Sequence, residues 1–319
     1  MFISREAIRF SSSQTTTFNQ QDHNICNNMD QAFDIIAALR KQEQSYAVSD
    51  WALLEELEQT YSSGRRAPIV DAYAREKLAS WCFQVIDYCE MNRETVSIAF
   101  SYLDRYLCTS AGKKARTVKS RFRLACMTCF YTAIKVHERT AMNPAVFMKL
   151  SEGSYSQNDF EQMEREIIDA LRWKMHPPTP MSFVRCTLDL LPPGYFMKDQ
   201  LDLLLELAHI QTEAAVTKHE FVTVKASTLA YCAIMNALEN LNLNDDFLDR
   251  CDEIMSSALA VNDDKSRISD VQDALYDAVT SGPNSNSFAL AVTGSPPTSP
   301  KSNAPKPSVQ VDSPRSVCS

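Results

Sequence analysis

The sequence predicts an all-α protein: two tandem five-helix bundles, preceded by an N-terminal helix and flanked by disordered tails. Three observations predict it. Apolar residues recur at intervals of three and four through most of the chain. Alternating β-branched runs are scarce, and only six glycines occur in 319 residues. The stretch HPPTP at 176–180 places three prolines in four positions, cannot continue a helix, and divides the helical region in two.

Taken in order, residues 1–29 are polar and read as a loose tail. Residues 30–68 read as an N-terminal segment of one or two helices, with Asp50 a candidate N-cap for WALLEELEQTY and with Gly64 and Pro68 as breakers. The first bundle, 69–177, holds helices near 70–90, 94–108, 121–137, 144–151 and 157–173. The second, 178–280, holds helices near 181–191, 197–216, 222–239, 244–260 and 266–279. Equal helix numbers suggest a structural duplication, although no sequence repeat is visible. Residues 281–319 hold seven of the fourteen prolines and one aromatic, Phe288, too little apolar area to offset chain entropy. Ser295, Ser299 and Ser313 each precede proline. They read equally well as targets of proline-directed kinases or as incidental steps in a solvated tail.

Composition narrows the function. Hydrophobic residues make up 45% of the chain, enough for a sizeable core. The net charge of −8 argues against general nucleic-acid binding, which needs basic surface to displace counterions. No apolar run reaches the roughly 18 residues of a membrane span, and no secretory signal is visible. The ten cysteines are scattered, mostly within apolar helical patterns, which points to the reducing interior of a cell, in nucleus or cytoplasm. Cys126 and Cys129 form a C-x-x-C without a second pair, so two buried thiols are expected rather than a metal site. The five histidines lie far apart, and no Gly-rich phosphate loop or nucleophile elbow occurs. No catalytic residue, metal or cofactor is therefore assigned, and an enzyme is not expected.

Two charge pairs stand on faces that should be dry. In DFEQMEREIIDALRWKM (159–175), Phe160, Met163, Ile167 and Leu171 form an apolar stripe, widened by Ile168 and Met175, and Glu164 falls inside it. Lys135 ends an apolar run on the side of Leu124 and Tyr131. An unpaired charge there would cost several kcal/mol, so the two are expected to meet. Likewise Arg75 extends the stripe Leu78, Cys82, Val85, Cys89, and Asp104 borders Val96, Phe100, Leu103, Leu107; these two read as an internal brace. For Lys135 and Glu164, spacing alone leaves a brace and a functional surface equally open.

REKLASWCFQVIDYCEMNRETVSIAFSYLDRYL resembles the first half of the cyclin box: Arg75, Trp81, Glu94, Thr95 and Leu103–Leu107 stand where that family has Arg, Trp, Glu-Thr and Leu-Asp-Arg-Tyr/Phe-Leu. CFYTAIKVHE resembles its Ala-Ser-Lys-Tyr/Phe-Glu-Glu segment. YSQNDFEQMEREIIDALRWKMHPPTPMSF resembles its Tyr-Thr, Met-Glu, Leu-x-Trp/Phe, Pro-Thr and Phe run. The match covers about 70–185 strongly and 186–280 more weakly.

The resemblance implies two five-helix bundles and a regulatory subunit that binds and activates a cyclin-dependent Ser/Thr protein kinase in the cell-division cycle, with kinase substrates or inhibitors as further partners. It implies that Lys135 donates to kinase backbone carbonyls, that Glu164 accepts from kinase N–H groups, and that Val136, Ile168 and Met175 supply apolar contact. Leu78 and Trp81 become candidate substrate-docking residues, although Ala74, Glu76 and Lys77 depart from the family's Met-Arg-Ala-Ile-Leu, and His137-Glu138 replaces its Glu-Glu. Transcription-linked and nutrient-linked cyclins, and cyclin-fold transcription factors that bind nucleic acid, are the competing readings. The basic stretch Lys113, Lys114, Arg116, Lys119, Arg121, Arg123 reads as a solvated loop, with nuclear import or phosphate binding as its functional alternatives.

Overall fold

A computed structural model describes residues 21–51, 70–140, 142–151, 153–192, 194–241, 243–261, 265–281 and 288. Among these residues the regular structure is helical. Helix α1 (Gln21–Glu43) runs into a 3₁₀ turn, Gln44–Tyr46. The first bundle comprises α2 (Ala72–Tyr88), α3 (Glu94–Leu107), the short α4 (Lys113–Thr117), α5 (Lys119–His137), α6 (Pro144–Leu150) and α7 (Gln157–Ala170). The second comprises α8 (Pro180–Leu188), α9 (Lys198–Thr217), α10 (Ala226–Glu239), α11 (Asp245–Leu259) and α12 (Lys265–Thr280), with a 3₁₀ turn His219–Phe221 between α9 and α10. None of these helices is long and apolar enough to cross a membrane.

Local chemistry sets the helix starts. The Asp71 carboxylate accepts from the amide of Ala74, Asn143 from Ala145, Thr179 from Ser182 and Asn244 from Phe247. Helix α7 opens on a reciprocal box: Ser156 Oγ accepts from the Asp159 amide at 3.2 Å, and Asp159 accepts from the Ser156 amide at 2.7 Å. The Ser156 amide, together with the Ser156 hydroxyl at 2.8 Å, holds the Asp159 carboxyl below its ordinary range.

Each bundle closes on its own core. In the first, α5 lies between α3 and α7, burying Phe122, Phe130, Ala133 and Ile134 against Leu103, Met163 and Ile167. In the second, α10 is enclosed by α8, α9, α11 and α12. The N-terminal segment spans both. Ala32 and Ile36 of α1 join the second core, whereas Trp51 joins the first, its ring 6.0 Å from Phe122. Helix α9 touches α2 and α3, and ion pairs tie the seam: Arg93 to Glu213 at 2.6 Å and Arg185 to Glu94 at 2.8 Å. Glu43 caps α10 by accepting from the amide and hydroxyl of Ser227, each at 2.8 Å.

Several expectations are corrected. Helix α1 begins at Gln21, inside the expected loose tail 1–29, because a helix anchored by buried Ala32 and Ile36 extends one bond per added residue. Of the helix expected after Asp50, Trp51 lies within the described residues and 52–61 lie outside them. Helix α7 ends at Ala170 rather than 173, since Arg172 and Trp173 adopt φ of 52° and 59° and the Trp173 amide turns back to the Ile168 carbonyl at 3.1 Å. The expected solvated basic loop contains α4, and Arg116 within it is buried with its guanidinium on the Leu107 carbonyl, one of the orphan acceptors at the end of α3. Gly112 permits this turn: a Cβ there would lie 2.2 Å from the Tyr106 carbonyl oxygen. Phe288, placed in the tail by composition, is buried in the second core with its ring 5.8 Å from Tyr276. Ser295, Ser299 and Ser313 lie outside the described residues.

The C-x-x-C pair sits mid-α5 with both thiols buried, beside buried Cys82. Burial pushes the Cys82 and Cys129 thiols well above the ordinary range and lifts Cys251 to about 11. The thiolate is the nucleophile, so raised pKa and burial both suppress reaction. Alkylation of the native protein at pH 8, read by mass spectrometry, is expected to spare Cys82, Cys126, Cys129, Cys232 and Cys251 and to reach them only in denaturant. Rapid native labelling of Cys126 or Cys129 would contradict this burial.

Candidate functional site: a polar notch between α5 and α7

Two helix positions build the site. Lys135 lies in the last turn of α5, where a cation is favoured by the helix dipole. Glu164 lies mid-way along α7, on the edge of the stripe Phe160, Met163, Ile167 that packs that helix against α5. The structure brings them together: Lys135 Nζ donates to Glu164 Oε1 at 2.8 Å and to Oε2 at 2.9 Å. The pair is neither sealed nor free in solvent, with side-chain exposures of 42% for Lys135 and 19% for Glu164. Thr132, buried one turn before Lys135, donates its hydroxyl to Glu164 Oε1 at 2.9 Å. The Lys135 ammonium also stands 5.5 Å from the centre of the Tyr131 ring.

The flanks are mixed. Val136 is 43% exposed, and Ile168 is half-buried against the first core. Met175 departs from expectation. Its side chain is buried in the first core, because Tyr102 Oη and His137 Nε2 both bond its carbonyl and draw the segment after α7 inward. Burial, with His176 beside it, holds His137 below its ordinary pKa against the opposing pull of that carbonyl. The free chain therefore presents Val136 and Ile168 but not Met175. Trp173, which the apolar pattern did not single out, is 74% exposed just beyond α7, held out by the left-handed turn.

The structure closes the other candidate surface. Leu78 and Trp81 are 0% and 1% exposed. The Trp81 ring packs 6.2 Å from Phe130, and its indole N–H finds no acceptor among the described residues. These side chains face the core of the first bundle, so they form no docking surface in the free chain.

Arg75 and Asp104 meet as a fork, Nε to Oδ1 at 2.9 Å and Nη2 to Oδ2 at 2.6 Å, with side-chain exposures of 3% and 7%. Trp51 Nε1 donates to the same Oδ1 at 3.1 Å, and Arg75 Nη1 reaches the Val216 carbonyl at 2.8 Å. This pair is internal and joins α2, α3, the N-terminal segment and α9. A cleft of about 280 Å³ opens at the same junction between Arg75, Phe100, Pro178 and Phe221 and includes neither Lys135 nor Glu164.

Chemically, the notch offers an ammonium and a carboxylate side by side, with apolar neighbours. Among the described residues, no cluster of His, Cys, Asp and Glu could hold a metal. A carboxylate has about four lone-pair sites, and Glu164 uses three in the contacts above. Such a notch can donate to carbonyls and accept from amides of an incoming main chain.

Comparison with known proteins gives a consistent result. Residues 34–176 match the family description "Cyclin, N-terminal domain", and residues 178–293 match "Cyclin, C-terminal domain". Human G1/S-specific cyclin-D1 is 24% identical over 169 residues, 53% of this chain and 55% of that protein. Cyclin-A1-2 of Arabidopsis thaliana is 27% identical over 212 residues, 66% of this chain and 44% of that protein. G2/mitotic-specific cyclin-3 of Saccharomyces cerevisiae is 32% identical over 111 residues, 35% of this chain and 25% of that protein. The chain spans about half the length of the curated relatives it matches. The X-ray structure of a viral cyclin from Herpesvirus saimiri shares the fold, with a TM-score of 0.55 at 17% identity over 76% of this chain and 97% of that one.

Proposed function

We propose that this chain, which belongs to the cyclin family, is a regulatory subunit that binds and activates a cyclin-dependent Ser/Thr protein kinase and has no catalytic activity of its own. One observation carries the reading: the Lys135–Glu164 pair is half-exposed at the meeting of two helices, with Val136 and Ile168 beside it. A purely internal brace would look like Arg75–Asp104, which is nearly solvent-free. In the complex, Lys135 turns to backbone carbonyls of the kinase and Glu164 takes its backbone N–H groups. The subunit then holds the kinase's mobile helix inward, completing the kinase's own Lys–Glu pair and ordering its activation segment.

The relatives carry names specific to G1/S and to G2/mitosis, which supports a role in the cell-division cycle without selecting a phase. The reading places the protein in nucleus or cytoplasm, with kinase substrates or inhibitors as further partners, and keeps Ser295, Ser299 and Ser313 as candidate phosphorylation sites. The test is reconstitution. The full chain is titrated into a panel of purified cyclin-dependent kinases and peptide phosphorylation is measured. At least one kinase is expected to be stimulated by the wild type, and the Lys135→Ala, Glu164→Ala double variant is expected to lose that stimulation. Salt-dependent DNA binding with no stimulation of any kinase would overturn the proposal in favour of a nucleic-acid-binding member of the fold.

A further inference from the structure

We infer that Thr132 is a positioning residue of the notch: its buried hydroxyl fixes the Glu164 carboxylate so that, on binding, Lys135 exchanges partners while Glu164 stays in place. The inference rests on the reading that the notch receives a kinase main chain.

Two threonines one turn apart on α5 make the point. Thr128 behaves as a threonine in a helix interior usually does, folding its hydroxyl back onto the carbonyl four residues earlier, Leu124, at 2.8 Å. Thr132 reaches across to α7 and donates to Glu164 Oε1 at 2.9 Å. Thr132 is 2% exposed. A buried hydroxyl that loses this charged acceptor cannot turn to water and is left with the weaker, slightly helix-destabilising back-bond that Thr128 makes, so rotation of Glu164 away from α5 is penalised.

Lys135 is under no such constraint. Its side chain is 42% exposed, against 19% for Glu164, and its ammonium sits on a flexible four-carbon stem whose donors rotate freely. The two halves of the pair therefore differ: the acceptor is anchored through Oε1 and the donor is mobile. With Thr132 on Oε1, Glu164 Oε2 accepts only from Lys135 among the described contacts. When Lys135 turns to the partner, Oε2 is released in a fixed orientation for an incoming N–H. A carboxylate already held in its bound rotamer saves the cost of ordering it at association.

The test uses the full chain with Thr132→Val, which removes the hydroxyl, and Thr132→Ser, which keeps it. Kinase affinity is measured for both, and for Thr132→Val in a Glu164→Ala background, alongside denaturant midpoints. Having to order one more side chain at association corresponds to up to roughly a tenfold change in affinity. Thr132→Val is expected to weaken the kinase roughly tenfold, Thr132→Ser to bind within about threefold of wild type, and Thr132→Val to add nothing once Glu164 is alanine. The inference is overturned if Thr132→Val binds like wild type while Glu164→Ala does not. It is equally overturned if Thr132→Val weakens binding to the same extent in the Glu164→Ala background, or if the serine fails to restore affinity. Should Glu164→Ala itself bind like wild type, or wild type bind no kinase, the functional reading falls and takes this inference with it.

Discussion

Lys135→Ala and Glu164→Ala are each expected to weaken kinase binding by about 2–5 kcal/mol, measured by calorimetry on the purified pair. The magnitude follows from what the complex would cover. Once the kinase main chain fills the notch, the surviving charge is left buried without its partner. The free protein behaves differently. Lys135 is 42% exposed, so solvent screens its contribution to stability to about 1 kcal/mol or less, and Lys135→Ala should unfold near the wild-type midpoint. Glu164→Ala should cost more, because it also removes the charged acceptor of the Thr132 hydroxyl, a loss of about 1–3 kcal/mol. A binding loss far larger than the folding loss for Lys135→Ala identifies a surface used by a partner. Matched losses would return the pair to the role of a brace.

Asp104→Ala and Arg75→Ala are expected to show the opposite balance, each destabilising the free protein by about 3–5 kcal/mol. Asp104→Ala removes the acceptor for two Arg75 donors and for Trp51 Nε1 at once. Arg75→Ala leaves a carboxylate that is 7% exposed with only the indole as side-chain donor among the described residues, and also frees the Val216 carbonyl. Replacing both by apolar residues of similar size should cost less than either single change, because the penalty lies in the stranded charge. Denaturant titration of the two single variants and the double variant measures this directly. Equal costs for the double and the summed singles would show that the pair does not act as a unit.

Much of this architecture is legible in the chain. Helix periodicity and the 176–180 prolines mark ten helices close to where they occur, because apolar residues three and four apart can be buried together only on a helix. The charge pairs are legible for a related reason: Glu164 sits on an apolar stripe and Asp104 borders one, and burial without a partner is too costly to be accidental. What stays hidden depends on contacts between elements. Thr132 on an apolar face reads as a small core residue, and nothing in its neighbours says that its hydroxyl crosses to α7. Arg116 reads as solvated until the unpaired carbonyls at the end of α3 are placed beside it. Leu78, Trp81 and Met175 are apolar and so fit a core or a surface equally; only packing assigns them to the core. Trp173 shows the reverse, an aromatic turned outward by two left-handed residues, a conformation that Arg and Trp do not announce as glycine would. Phe288 escapes a composition argument because one buried aromatic is lost in a proline-rich average.

Hydrogen exchange of the full chain, with and without the kinase it stimulates, bears most directly on the notch. Binding is expected to protect the end of α5 around Lys135 and Val136 and the middle of α7 around Glu164 and Ile168, while the outer face of α2 around Tyr73 and Lys77 exchanges as before. Protection on α2 or α11, with the ends of α5 and α7 unchanged, would contradict the assignment of this pair as the place where another protein's main chain is held.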